Sequence, residues 1–215
     1  TATEGGGWPT PTQTADAYRA LAALAADPRI DTGRAALIGF SMGGDVAHAA
    51  AMKAVADRLA PNGPHFAAHV PFYPPCSQFG NPTGTAYTGA PVLMLLAEKD
   101  DSGPPARCVG VVEQFRAQGK AAPVEITIYP GAYHNWTNSG GPVPSRFNPN
   151  LASTARCGIL LFAPGGMEFR DGIVQRVDQK QRAACLAQKG YSIGYSAETR
   201  ARSFDDLVAF LGRVL

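Results

Sequence analysis

At 215 residues and 45% hydrophobic content the chain can bury a substantial core, and a single domain over residues 1–215 is expected. The net charge is +2, with basic and acidic side chains interspersed and no Lys/Arg block, which argues against nucleic acid as a partner. The apolar runs are strand-sized, far short of the length a membrane span needs, so no membrane partner is expected either.

In chain order, the first eleven residues, with Gly5-Gly6-Gly7, Trp8-Pro9 and Pro11, read as loop, and no charged-then-apolar leader follows Thr1. Thr12–Ala26 has helical spacing: Thr12 or Thr14 is a candidate cap, Ala17, Leu21 and Leu24 share a face, and Pro28 ends it. Asp31 and Gly33 turn the chain into a strand over Arg34–Phe40. A glycine-rich turn then leads into an alanine-rich helix to about Leu59. Pro61-Asn62-Gly63-Pro64 breaks the chain, and Phe66–Tyr73 is a second strand-like run.

Pro74–Gly89, rich in Gly, Pro, Thr and Asn, reads as a long loop. Val92–Leu96 is continuously apolar, as a strand covered on both faces must be. A polar loop over Glu98–Pro105 precedes a helix to about Gln118, and Val124–Tyr129 is the next strand, ended by Pro130-Gly131. Phe204–Leu215 closes the chain as an amphipathic helix with Leu207, Val208, Phe210, Leu211 and Leu215 apolar. Strand and helix alternating at this cadence predict an α/β fold, a three-layer sandwich around a mainly parallel sheet.

The chemistry centres on Gly39-Phe40-Ser41-Met42-Gly43-Gly44. A serine at a tight strand-to-helix turn sits in a strained backbone with its hydroxyl pushed outward. The flanking glycines are expected because side chains there would meet neighbouring backbone. The N–H of Met42 falls at a helix N-terminus, where it can face a developing oxyanion. A serine hydroxyl needs a base, and the base an orienting acid, here expected on loops that follow later strands in the order Ser, Asp/Glu, His. Glu98, Lys99, Asp100 and Asp101 follow one strand, and His134 follows another in Tyr129-Pro130-Gly131-Ala132-Tyr133-His134. His48, His65 and His69 are read as core or surface residues. Tyr73, Phe79 and Trp136 are candidate pocket aromatics, and equally well ordinary core or loop aromatics.

Four cysteines, Cys76, Cys108, Cys157 and Cys185, permit two disulfides in three connectivities and then imply an oxidising compartment, secreted or periplasmic. The alternative is four free thiols in a cytoplasmic enzyme. None has a second cysteine a few residues away and no H-E-x-x-H pair is present, so neither a metal nor another cofactor is expected.

Gly39–Gly44, the Asp100 loop and Tyr129–His134 resemble the dienelactone hydrolase-like branch of the α/β-hydrolases. So do Asp27-Pro28-Arg29-Ile30-Asp31 and Phe72-Tyr73-Pro74-Pro75-Cys76, taken with Glu98-Lys99-Asp100-Asp101 and a cysteine at 108. The resemblance runs from roughly Asp16 to Leu151, plus the last helix, and implies Ser41 as nucleophile, Asp100 as orienting acid and His134 as base. Asp100 is preferred to Asp101 because Ala97-Glu98-Lys99-Asp100 fits the family's small-x-x-Asp loop, which leaves Asp101 to cap the following helix.

The chain departs from that family in three ways. Serine replaces the cysteine of the dienelactone hydrolases proper, which suits ordinary esters. No arginine lies shortly after His134, which suits a less anionic pocket. The family's first strands and second oxyanion donor belong ahead of Thr1, on a segment expected to be cleaved or present as a separate piece.

With the resemblance in place, Cys76 and Cys108 fall near the carboxyl ends of neighbouring strands and are expected to pair. That leaves Cys157–Cys185 to staple an insertion at 158–186, where Gly158–Phe162 and Gly165–Val177 suggest a hairpin and Asp178–Gln188 a helix. The expected activity is hydrolysis of small carboxylic esters. The alternatives are acyl transfer or polyester hydrolysis by the same residues, or a non-catalytic binding protein on this fold.

Overall fold

The computed structural model describes residues 10–76, 86–119, 122–153, 167–170, 173–176 and 189–215. Four strands, β1 (Ala36–Phe40), β2 (Ala68–Phe72), β3 (Val92–Ala97) and β4 (Val124–Tyr129), form one sheet in that order, every neighbouring pair parallel. The helices are α1 (Thr10–Leu24), α2 (Met42–Ala50), α3 (Lys53–Leu59), α4 (Pro105–Ala117) and α5 (Ala197–Val214). The expected α/β architecture with a mainly parallel sheet is observed. Among the described residues no helix is long and apolar enough to cross a membrane.

The continuous apolar run of β3 has a direct cause. Val92, Met94 and Leu96 pack with Val111, Val112 and Phe115 of α4, while Leu93, Leu95 and Ala97 pack with Leu207 and Phe210 of α5. Successive side chains point to opposite faces and both faces are covered, so no position tolerates a polar residue. At about 25 cal/mol per Å² of apolar surface, such burial is the main source of stability here. Cys76 and Cys108 form a disulfide, both cysteines buried, that ties the loop after β2 to α4.

Several expected boundaries shift. The buried stripe of α1 is Thr14, Tyr18 and Leu21, with the Tyr18 hydroxyl donating to Ala50 O at 2.8 Å; Leu24 is 45% exposed. The helix after the glycine turn is two helices. Between them Met52 bridges Tyr87, with Lys53 N donating to Ala86 O and Ala51 O accepting from Thr88 N. The last helix begins at Ala197, well ahead of the expected start at Phe204, and is capped by the Ser196 hydroxyl, which accepts from Thr199 N.

Two antiparallel pairs were not foreseen as such. β5 (Arg146–Ala152) pairs with β8 (Lys189–Ile193), and β6 (Met167–Arg170) pairs with β7 (Ile173–Arg176). The second pair places a hairpin wholly inside Gly165–Val177, so Gly165–Val177 is not the single strand of a hairpin with Gly158–Phe162. Gly158–Phe162 itself, the expected helix over Asp178–Gln188, Phe79, Cys157 and Cys185 lie outside the described residues.

Candidate active site

Ser41 stands between β1 and α2 with φ 54° and ψ −116°, a backbone that side chains rarely adopt. Its N–H donates to Phe72 O at 3.0 Å, which hangs the turn on β2. The glycine requirement differs in detail from the motif. A Cβ at Gly39 would lie 1.8 Å from Gly43 O, and one at Gly44 would lie 2.6 Å from Phe72 O. At Gly43 a Cβ would meet nothing within 4 Å. Gly39 and Gly44 are therefore the sterically required glycines. Met42 is the first residue of α2, so its N–H has no acceptor within the helix and stays available to a ligand.

Three loops at the carboxyl ends of the parallel strands converge on the serine. Ser41 Oγ lies 2.7 Å from His134 Nε2, and His134 Nδ1 lies 2.7 Å from Asp100 Oδ2. His134 and Asp100 are 2% and 3% exposed, so bulk water does not compete for the bond between them. The other oxygen of Asp100, Oδ1, accepts from Ser102 N and Gly103 N, both at 2.9 Å. Those two N–H groups fix the orientation of the carboxylate. With Nδ1–H donating to Asp100 Oδ2, Nε2 is left as an acceptor facing the Ser41 hydroxyl.

The neighbouring carboxylate does something else. Asp101 accepts from Ser192 N at 2.8 Å and Ser192 Oγ at 3.0 Å, tying the acid loop to β8. It does not cap α4, whose N-cap is Pro104 without a side-chain bond. The same β8 segment holds the histidine loop: Gly194 N donates to His134 O at 3.0 Å, and Ser196 N to Trp136 O at 3.2 Å.

Of the aromatics expected to line a pocket, Tyr73 and Trp136 prove to be buried. Trp136 is wholly buried against Phe72, Tyr73 and Tyr129, and its indole N–H donates to Ser203 Oγ at 3.1 Å; it is core, not pocket wall. The Tyr73 ring stands edge-on to His134 at 5.0 Å, and its hydroxyl lies 2.6 Å from Thr137 Oγ1. Burial pushes the Tyr73 phenol up to about 12, so it stays protonated. Tyr191 was missed. Its ring also stands edge-on to His134, at 5.1 Å, and burial together with Asp100 and Asp101 raises its phenol. No local pattern could have found Tyr191, because β8 reaches the site only through tertiary pairing. The Ser102-Gly103 cradle, by contrast, is an Asx-type turn readable from Asp100-Asp101-Ser102-Gly103.

A parallel sheet with helices on both faces and a serine at a strained strand-to-helix turn defines the α/β-hydrolase class of fold. The model of the dienelactone hydrolase family matches residues 2–157, and the chain belongs to that family. Among solved structures it is similar to P91, a dienelactone hydrolase-like promiscuous phosphotriesterase from metagenomic libraries. The identity is 18% and the TM-score 0.52, over 94% of this chain and 62% of that one. It is also similar to the apo form of Thermogutta terrifontis esterase 2, at 19% identity and TM-score 0.48, over 61% of this chain and 58% of that one. The propionate-bound form of that esterase matches at 20% identity and TM-score 0.46, over 59% of this chain and 57% of that one. The chain thus spans less than two thirds of the length of these structures. No curated protein matches it.

Proposed function

We propose that the protein is a serine hydrolase of small carboxylic esters, with Ser41 as nucleophile, His134 as general base and Asp100 as orienting acid. The observation that carries this reading is the relay from Ser41 Oγ to His134 Nε2 and from His134 Nδ1 to Asp100, each step 2.7 Å. Family membership supports the same chemistry.

In the mechanism, Ser41 Oγ attacks the acyl carbon while His134 Nε2 takes its proton. Asp100, held by Ser102 N–H and Gly103 N–H, stabilises the imidazolium that forms. The Met42 N–H donates to the oxyanion of the tetrahedral intermediate. The imidazolium then protonates the departing alkoxide, leaving an acyl group on Ser41. Water attacks that ester with His134 again as base, and the carboxylic acid leaves with the serine restored. The Cys76–Cys108 bridge supports an oxidising compartment, secreted or periplasmic.

A fluorophosphonate probe followed by intact-mass measurement tests the assignment. One adduct is expected on the wild type and none on Ser41→Ala. An unlabelled wild type, or equal labelling of the variant, overturns it.

A further inference from the structure

A single four-residue segment touches all three loops of the site. Tyr73 to Cys76 follow β2, and the segment begins and ends on residues with positive φ, Tyr73 at 36° and Cys76 at 49°. Among the described residues the other non-glycine positions of this kind are Ser41 at 54° and Asn135, beside His134, at 66°. Backbone of this sort persists only where the surroundings over-determine it, and it gathers at functional sites.

The surroundings are specific. Toward the serine turn, a Cβ at Gly44 would come within 3.3 Å of Pro74, and Cys76 N donates to the buried carboxylate of Asp45 on α2 at 3.2 Å. Toward the acid loop, a Cβ at Gly103 would come within 2.4 Å of Pro75 Cα; Gly103 is itself a donor to Asp100. Toward the histidine loop, the Tyr73 hydroxyl bonds Thr137 at 2.6 Å and Asn135 at 3.4 Å while its ring abuts His134. Tyr73 N donates to Leu95 O at 2.7 Å, which fixes the near end, and the disulfide fixes the far end to α4.

We propose that Tyr73–Cys76 is a positioning brace that aligns Ser41, Asp100 and His134, anchored by the Tyr73 hydroxyl at one end and the Cys76–Cys108 bridge at the other. This rests on the serine-hydrolase reading. None of the four residues handles a proton of the reaction. Their work is to keep three loops from three different strands in one register, and a displacement of about 1 Å between reacting groups can cost about 10²-fold in rate. The cysteines are 1% and 0% exposed, so the bridge serves geometry and is not set up for easy reduction in the folded protein.

The test compares the wild type, Tyr73→Phe and the double variant Cys76→Ala/Cys108→Ala on p-nitrophenyl butyrate, at a temperature where circular dichroism shows each one folded. In both variants kcat is expected to fall about tenfold with KM within about twofold, and fluorophosphonate labelling of Ser41 to slow in parallel. Either folded variant turning over at the wild-type kcat overturns the brace, a lowered melting temperature notwithstanding. If the double variant does not fold, Tyr73→Phe, which removes one oxygen and leaves the bridge intact, decides alone. A wild type that neither hydrolyses the ester nor takes the probe overturns the hydrolase reading and the brace with it. An active wild type with unaffected variants removes the brace and leaves the hydrolase.

Discussion

His134 and His48 are both buried, at 2% and 0% exposure, yet their surroundings give them opposite characters. His134 stands between a carboxylate and a hydroxyl, each 2.7 Å away, on a loop at the end of the sheet. His48, on α2, stacks near Tyr87, with Nε2 2.9 Å from its hydroxyl and Nδ1 3.8 Å from Cys76 Sγ. Burial, with His69 nearby adding to it, pushes His48 down to about 3, and burial pushes His69 down to about 4. Among the described residues His69 Nδ1 has no hydrogen-bond partner. Burial thus holds His48 and His69 in the neutral form. A base arises where a carboxylate compensates the charge that catalysis creates.

The largest effect that would break this contrast is on turnover. His134→Ala is expected to lower kcat by about 10⁴-fold or more, and Asp100→Asn by about 10³–10⁴-fold, on any ester the wild type hydrolyses. Steady-state kinetics checks both, and a loss under tenfold in either would remove the distinction between the two histidine environments.

Next in size is the pH dependence of stability. His48 and His69 stay neutral in the folded protein down to about pH 4, whereas in the unfolded chain they protonate near about 6.5. Between those values the unfolded state binds more protons, so their contribution is complete above about pH 6.5 and drains as pH falls. Each can remove up to about 1.4 kcal/mol per pH unit in that window, so urea melts at pH 7 and pH 5 should differ by up to about 4 kcal/mol. Equal melts would mean that these histidines are not held neutral. The smallest expected effect is that of Tyr87→Phe, which deletes the hydroxyl beside His48. It should cost about 1 kcal/mol in the same melts and leave kcat unchanged, since Tyr87 touches none of the three site residues.

How much was legible beforehand varied with the range of the interactions. Val124–Tyr129 is a strand with the bounds its residues suggest, and β3 extends one residue beyond its apolar run, because double coverage demands apolar residues at every step. Ser41 and His134 stand out from a turn motif and a post-strand loop, Asp100 is singled out of its acidic loop by the family resemblance, and the three side chains do meet. The break between α2 and α3 was not legible. Ala51 and Met52 are good helix formers, and the helix ends there because Ala86–Thr88 pairs with that backbone. For Trp136 the sequence leaves pocket wall and core equally open, because an aromatic beside a candidate base has the same signature either way, and it is wholly buried.

The amino-acid sequence by itself determined the alternation of apolar strands and helices, and with it the α/β fold, the sharp turn at Ser41 and the order of the chemistry-bearing loops. These follow from local sterics and from which residues can be buried. Tertiary structure alone decided that Asp101 turns to Ser192 and that Tyr73 and Tyr191 flank the imidazole, whereas Asp100 at His134 and the Cys76–Cys108 bridge were expected only through the family resemblance. Those outcomes depend on distances between segments far apart in the chain, which packing of the sheet and helices sets and no local pattern encodes.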